Sequence, residues 1–234
     1  MGEIWEGVAA AIALVASLDP ALIEITLRSL QVTLSAVAVA GLIGIPLGAF
    51  LAVARFPGRG VIVATLTALM GLPPVVVGLL VYLFLSQAGP FGVLNLLFTP
   101  WAMVIAQIII VTPLVASISL QAIAGLWEEY RDLLRSLGAT SGQRMRTLIW
   151  DGRGALVTAM LAGFGRAIGE VGAVMIVGGN IDNATRVLTT AIALETSKGN
   201  FALALGLGIV LLALALLVNL LSHGVGRTEA RALP

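Results

Sequence analysis

Between Arg59 and Glu128 the chain carries no charged side chain. A hydrocarbon core of about 30 Å takes roughly 20 helical residues to cross, so residues 60–127 are long enough for two membrane spans. The turn-forming GPFGVLN, Gly89 to Asn95, is where that run can break. Residues 29–54 are uncharged and supply a span before it. Residues 154–178, interrupted only by Arg166 and Glu170, supply one after it, and the Leu- and Ala-rich run 200–222 supplies the last. Five such spans predict an all-α fold, a polytopic integral membrane helical bundle.

The segment before the first span is ambiguous. Its apolar run from Gly7 to Leu18 is short for a span and suits an interfacial helix, with a sixth, strongly tilted span as the alternative. Glu3 and Glu6 stand where a secretory signal would carry basic residues, so residues 1–24 read as a retained N-terminal segment. Residues 25–222 then form the transmembrane domain, and 223–234 a tail.

Hydrophobic residues make up 59% of the chain and charged ones 11%, with a net charge of +1, which argues against a nucleic-acid partner. Cysteine is absent and His223 is the one histidine, so thiolate chemistry and a histidine metal cluster are excluded.

Charge gathers in one island, residues 126–153, LWEEYRDLLRSLGATSGQRMRTLIWDGR. Its pattern predicts two short helices around Gly138, the first ending in the left-handed conformation that glycine permits. Thr140 and Gln143, at T-x-x-Q spacing, cap the second. A rim of this kind can seat a soluble partner. With five spans, Arg55, Arg59, Arg131, Arg135, Arg144, Arg146, Arg153, Arg227 and Arg231 share one side, nine of the thirteen basic residues. The positive-inside rule makes that side the cytoplasm and places the N-terminus outside.

The island resembles the cytoplasmic EAA loop of ABC-importer permeases. Asp132, Leu133 and Leu134 occupy the Glu-Ala-Ala positions, Gly138 keeps the glycine, and Leu148, Trp150 and Asp151 stand at the Ile, Leu and Pro positions, so the family's proline is missing. GLPPVVVGLLVYLFLSQAGPFG, residues 71–92, is similar to the Leu-Pro-Pro span of the molybdate, tungstate and sulfate branch. GRAIGEVGAVMIVGGNI, residues 165–181, resembles that branch's Gly-Glu span. TRVLTTAIALETSKG, residues 185–199, looks most like tungstate-type members. The likeness covers roughly residues 25–222.

That resemblance implies a type I ABC-importer permease in a prokaryotic inner membrane. Its implied partners are an ABC ATPase, an extracytoplasmic oxyanion-binding protein and a second copy of the chain. No G-x-x-x-x-G-K-[ST] occurs, so ATP with Mg is expected on the ATPase, and no cofactor is expected in this chain. The implied coupling helix is Glu129 to Leu137. Leu133, Leu134 and Leu137 would dock, Arg131 and Arg135 would reach partner carboxylates, and Glu129, Asp132 and Gly138 complete the motif.

Arg166 and Glu170 fall at i and i+4 within a span. An arginine near mid-membrane costs roughly 2.5 to 3.5 kcal/mol on insertion scales, so the two are expected to neutralise each other. They form either a gate or a structural pair. An oxyanion path needs hydroxyls, amides and backbone N–H groups rather than a deep cationic trap. Thr33 and Ser35 on the first span, and Asn180, Asn183, Thr185, Thr189 and Thr190 near the outer mouth, are candidates; helix packing is the competing role for each. Pro73 and Pro74 predict a break in the second span. Gly41, Gly44 and Gly48, and Gly165, Gly169 and Gly172, predict close helix contacts.

Three classes of function remain. A permease explains the island and the orientation. A secondary transporter would use the Arg166 and Glu170 pair for proton coupling. An enzyme would need a catalytic constellation, and none is found.

Overall fold

The computed structural model describes residues 9, 11–17 and 19–230, with 222–230 as helical backbone only. The helices are α1 Pro20–Val53, α2 Arg59–Leu69, α3 Pro74–Leu85, α4 Pro100–Ser136, α5 Ser141–Asp151, α6 Arg153–Ile168, α7 Gly172–Gly178, α8 Leu188–Ser197 and α9 Phe201–Ala230. Among the described residues there is no strand. By length and apolarity three helices can cross a membrane alone, and up to five spans result if the bent pairs α2 with α3 and α6 with α7 each count as one.

Helix ends depart from the expected span limits, each for a local reason. α1 begins at Pro20 rather than in the uncharged run, because the Asp19 carboxylate accepts from the N–H groups of Ala21 and Leu22 at 3.0 and 3.3 Å. The helix therefore takes in Glu24 and Arg28, paired at 3.3 Å, and the boundary expected at residue 24 falls inside it. α3 starts on Pro74 after a 100° bend, so the two prolines open a new helix as expected. A 3-10 turn, Gly92–Leu94, occupies the expected break before α4.

α4 corrects the reading of the charged island. It runs unbroken for 37 residues to Ser136, so the first short helix is the end of a span. Gly138 then turns the chain at φ 66°, and α5 opens with the expected reciprocal cap, Gln143 N–H to Thr140 Oγ1 at 3.4 Å and Thr140 N–H to Gln143 Oε1 at 2.8 Å. α9 continues to Ala230, so the tail expected from 223 is helical that far; its side chains lie outside the described residues. So does most of the segment before Ala11.

The chain separates into two compact units. One gathers the described parts of Met1–Ala36, Pro73–Gln107 and Gly165–Leu217. Here α3 packs on α7 through residues with little side chain: a Cβ on Gly78 would stand 2.7 Å from Ala173 Cα, and one on Gly172 would meet Val75. Leu22, Ile25, Leu188, Ala191 and Leu207 form its core, with Leu14 and Val15 of the N-terminal segment packed against them. One side of that segment's described part thus lies against protein, while Ile12 is exposed. Leu212, Leu216 and Leu220 of α9, at successive i+4 positions, are exposed as a lipid-facing stripe requires.

The other unit gathers Val37–Leu72, Ile108–Phe164 and the described residues after Leu217. Gly44 and Gly48 bring α1 against the α4 backbone at Ala116, and Gly41 lies against Met160, the close contacts expected of the first glycine set. The second set divides: Gly172 makes the expected close contact, against Val75 of α3, and the other two do not. Gly165 faces open space and Gly169 meets only the Gly165 carbonyl at 3.7 Å. Ala49, Ile123, Trp127, Leu134, Leu148 and Leu156 form a core joining α1, α4, α5 and α6. Fully burying a side chain such as Leu148 contributes roughly 1.5 to 3 kcal/mol, which fixes the otherwise polar α5.

Candidate functional site

The fourth span breaks where its charges lie. α6 ends at Ile168, α7 starts at Gly172, and the axis turns by 61° between them. Glu170 therefore sits in the break rather than on one continuous helical face with Arg166. Its Oε2 accepts from Arg166 Nη1 at 2.7 Å, and its Oε1 accepts from the Ala173 N–H at 3.2 Å, satisfying a free donor at the start of α7. Its backbone carbonyl accepts from Thr189 Oγ1 at 2.7 Å. The carboxylate is buried while Arg166 keeps 35% of its side chain exposed.

Around this break the fold collects polar side chains from separate elements. Ser29, Thr33, Gln107, Glu170 and Thr189 line a cavity of about 10 Å³ and are all buried. That is about the space of one water and far too small for a tetrahedral oxyanion. Ser29 Oγ accepts from the Leu188 N–H at 2.7 Å, and Gln107 Nε2 donates to the Ala167 carbonyl at 3.1 Å. Gln107 Oε1 has no protein partner. Of the expected path residues, Thr33, Arg166, Glu170 and Thr189 are thus brought together.

Three of the remaining ones are committed to local structure. Thr185 Oγ1 donates to the Gly178 carbonyl and accepts from the Ile181 N–H, and Thr190 Oγ1 accepts from the Val187 N–H at 3.1 Å at the start of α8. Asn180, at φ 51°, donates through Nδ2 to the Thr190 carbonyl at 3.3 Å. These three shape the turn before α8 with the very groups a path would use.

Beside that turn lies a larger cavity, about 200 Å³, lined by Glu24, Asp182, Asn183, Arg186 and Glu195 among others. Three ion pairs surround it: Arg28 with Glu24 at 3.3 Å, Arg186 with Asp182 at 2.8 Å, and Lys198 with Glu195 at 2.9 Å. Arg28 also donates to the Asn183 carbonyl at 3.1 Å. The Lys198 hydrogen bond, helped by one from Asn200 and by the charge of Arg186, holds the Glu195 carboxyl below its ordinary range, against the opposing pull of burial.

At the charged island, Glu129, Leu133 and Leu137 fall four residues apart at the end of α4 and are exposed, Leu133 to 58% and Leu137 to 71%. Arg135, Asp132 and Gly138 are exposed as well, and Arg131 pairs with Asp132 at 3.2 Å. Leu134 is not available for docking. It is buried against Trp127 and Leu148, because its side chain lies about 100° around the helix from that of Leu133.

Residues 44–228 match the family of binding-protein-dependent transport system inner membrane components. The chain belongs to this family. It is an all-α, multi-pass inner-membrane permease of the ABC type. A probable anion ABC transporter permease protein of Haloferax volcanii is 43% identical, covering 86% of this chain and 88% of its own. The tungstate uptake system permease protein TupB of Peptoclostridium acidaminophilum is 40% identical, covering 94% and 96%. The TupB of Campylobacter jejuni is 38% identical, covering 68% and 66%.

Sequence reasoning on the permease missed three features of these sites. Gln107 carried no signal, since one amide in a long apolar helix looks like any other. Ser29 opens its uncharged run, where nothing in the sequence marks it. The ion-pair ring was visible only as spacings, i and i+4 for Glu24 with Arg28 and for Asp182 with Arg186, and i and i+3 for Glu195 with Lys198.

Proposed function

We propose that this permease forms the translocation path of an ATP-driven tungstate importer. The supporting observation is the 40% identity to a tungstate uptake permease over nearly the whole of both chains. Two copies make the permease unit, because one docking edge per chain would need a second copy to serve a two-ATPase motor. ATP and Mg are bound by the separate ATPase, and an extracytoplasmic binding protein delivers the anion. The site around Glu170 serves as a gate or pivot rather than a resting place, since its cavity is too small for the anion. Glu129, Leu133, Leu137 and their basic neighbours dock the ATPase.

Molybdate or sulfate is the second reading, because the relative at 43% identity is described only as an anion permease. Tungstate and molybdate have nearly the same size and charge, so the decision belongs to the assembled system. In proteoliposomes holding the permease, its ATPase and its binding protein, tungstate should stimulate ATP hydrolysis at lower concentration than molybdate or sulfate. Uptake that runs on an ion gradient without ATP would instead identify a secondary transporter.

A further inference from the structure

We propose that Arg146, Trp150 and Arg153 form a binding site for the headgroup of an anionic phospholipid in the cytoplasmic leaflet. The site begins with an anomaly in α5. Its inner side is anchored by fully buried Leu148, yet two residues on Trp150 is 67% exposed. The outer side, Gln143, Arg146, Thr147, Trp150 and Asp151, lines an open groove of about 440 Å³. Apart from the indole it presents no exposed large apolar side chain, so it differs from the leucine edge that α4 offers to a protein partner.

The indole is also held. The Arg153 guanidinium lies 5.0 Å from the centre of the Trp150 ring, and its Nη1 donates to the Trp150 carbonyl at 2.8 Å. That bond uses one of five N–H donors and leaves a fork able to take a phosphate oxygen. Arg146 forms no ion pair among the described residues, and with Arg153 beside the indole at the groove's edge, two arginines stand against one acidic group, Asp151.

Position supplies the ligand. Arg153 opens α6, the first half of a bent pair long and apolar enough to cross a membrane, so Trp150 stands one helical turn before a span. Tryptophan favours that interfacial depth, and basic side chains there meet the negative surface of the cytoplasmic leaflet. The assignment uses the orientation in which α5 is cytoplasmic. It does not depend on which anion is transported.

The test needs one fluorophore. With Trp5, Trp101 and Trp127 changed to Phe, Trp150 remains as the reporter in nanodiscs containing either brominated phosphatidylglycerol or brominated phosphatidylcholine at equal mole fraction. Phosphatidylglycerol should quench it more strongly, and the preference should fall roughly fivefold for each arginine removed in R146Q and R153Q. Equal quenching by both lipids, or by neither, overturns the site. So does a preference abolished by millimolar inorganic phosphate, which would mark a site for free anions, or by adding the ATPase, which would mark a protein interface. Because Trp127 is buried, a second reading uses the unaltered chain: native mass spectrometry should show phosphatidylglycerol adducts that R146Q/R153Q loses, and adducts kept by that variant overturn the proposal.

Discussion

Arg166 and Glu170 are unequal partners, and that inequality predicts unequal damage. Arg166→Gln strands a buried carboxylate, at a cost near the low end of about 3 to 5 kcal/mol because water already reaches part of the pair. Glu170→Gln leaves a guanidinium that water can solvate and an amide oxygen that can still accept from Ala173. Thermal unfolding in detergent should therefore rank Arg166→Gln below Glu170→Gln, with the double variant close to the latter. Strictly additive losses would show that the side chains do not interact. The pairing was legible as i, i+4 spacing; the capping of α7 was not, because Gly169-Glu170-Val171 contains nothing that forbids a helix. Glu195 gives a second residue-scale expectation. Its folded pKa lies below the usual 4.5, through the Lys198 bond first, so its stabilising contribution is present above about pH 4.5 and is lost as pH falls through the folded value. Unfolding followed across acid pH should show a shallower decline in Glu195→Gln than in the parent chain.

Elements show why hydropathy located spans better than helices. Charge begins at Glu128, but Glu, Tyr, Arg, Asp and Leu are all compatible with a helix, so α4 passes through them and stops where glycine allows a left-handed turn. The capping box of α5 was legible because a cap is local chemistry. Which leucine faces out was not, because Leu134 turns inward only through contacts with α5 and with Trp127 on its own helix. The two kinds of leucine now predict different failures. Leu133→Asp with Leu137→Asp should release the ATPase in co-purification while the permease stays folded. Leu134→Asp should instead lose the fold, since an unpaired carboxylate would enter a dry core. If the outward pair still retains the ATPase in full, α4 does not carry the docking edge.

At the scale of the whole molecule, five uncharged stretches predict five spans, which three long helices and two bent pairs allow, and the bias of arginine predicts an orientation. The division into two units was not legible. Four of its boundaries, at Ala36, Gln107, Phe164 and Leu217, fall inside helices, where packing rather than composition draws them; the fifth, at Leu72, coincides with the expected proline break. Orientation can be tested directly in a chain that lacks cysteine. An impermeant thiol reagent applied to intact cells should label Asn183→Cys but not Gly142→Cys, and the opposite pattern would invert the topology.

α4 has a mechanical side as well. Pro113 lies inside it, so the Ile109 carbonyl has no N–H to accept from and the rod is most compliant at that point. From there to Ser136 the lever arm is about 35 Å at 1.5 Å per residue, so each degree of flexure sweeps the helix tip through roughly 0.6 Å. If the proposed docking holds, a motor seated on that tip works at a long gear ratio: a stroke of a few ångströms reaches the proline as a bend of only a few degrees.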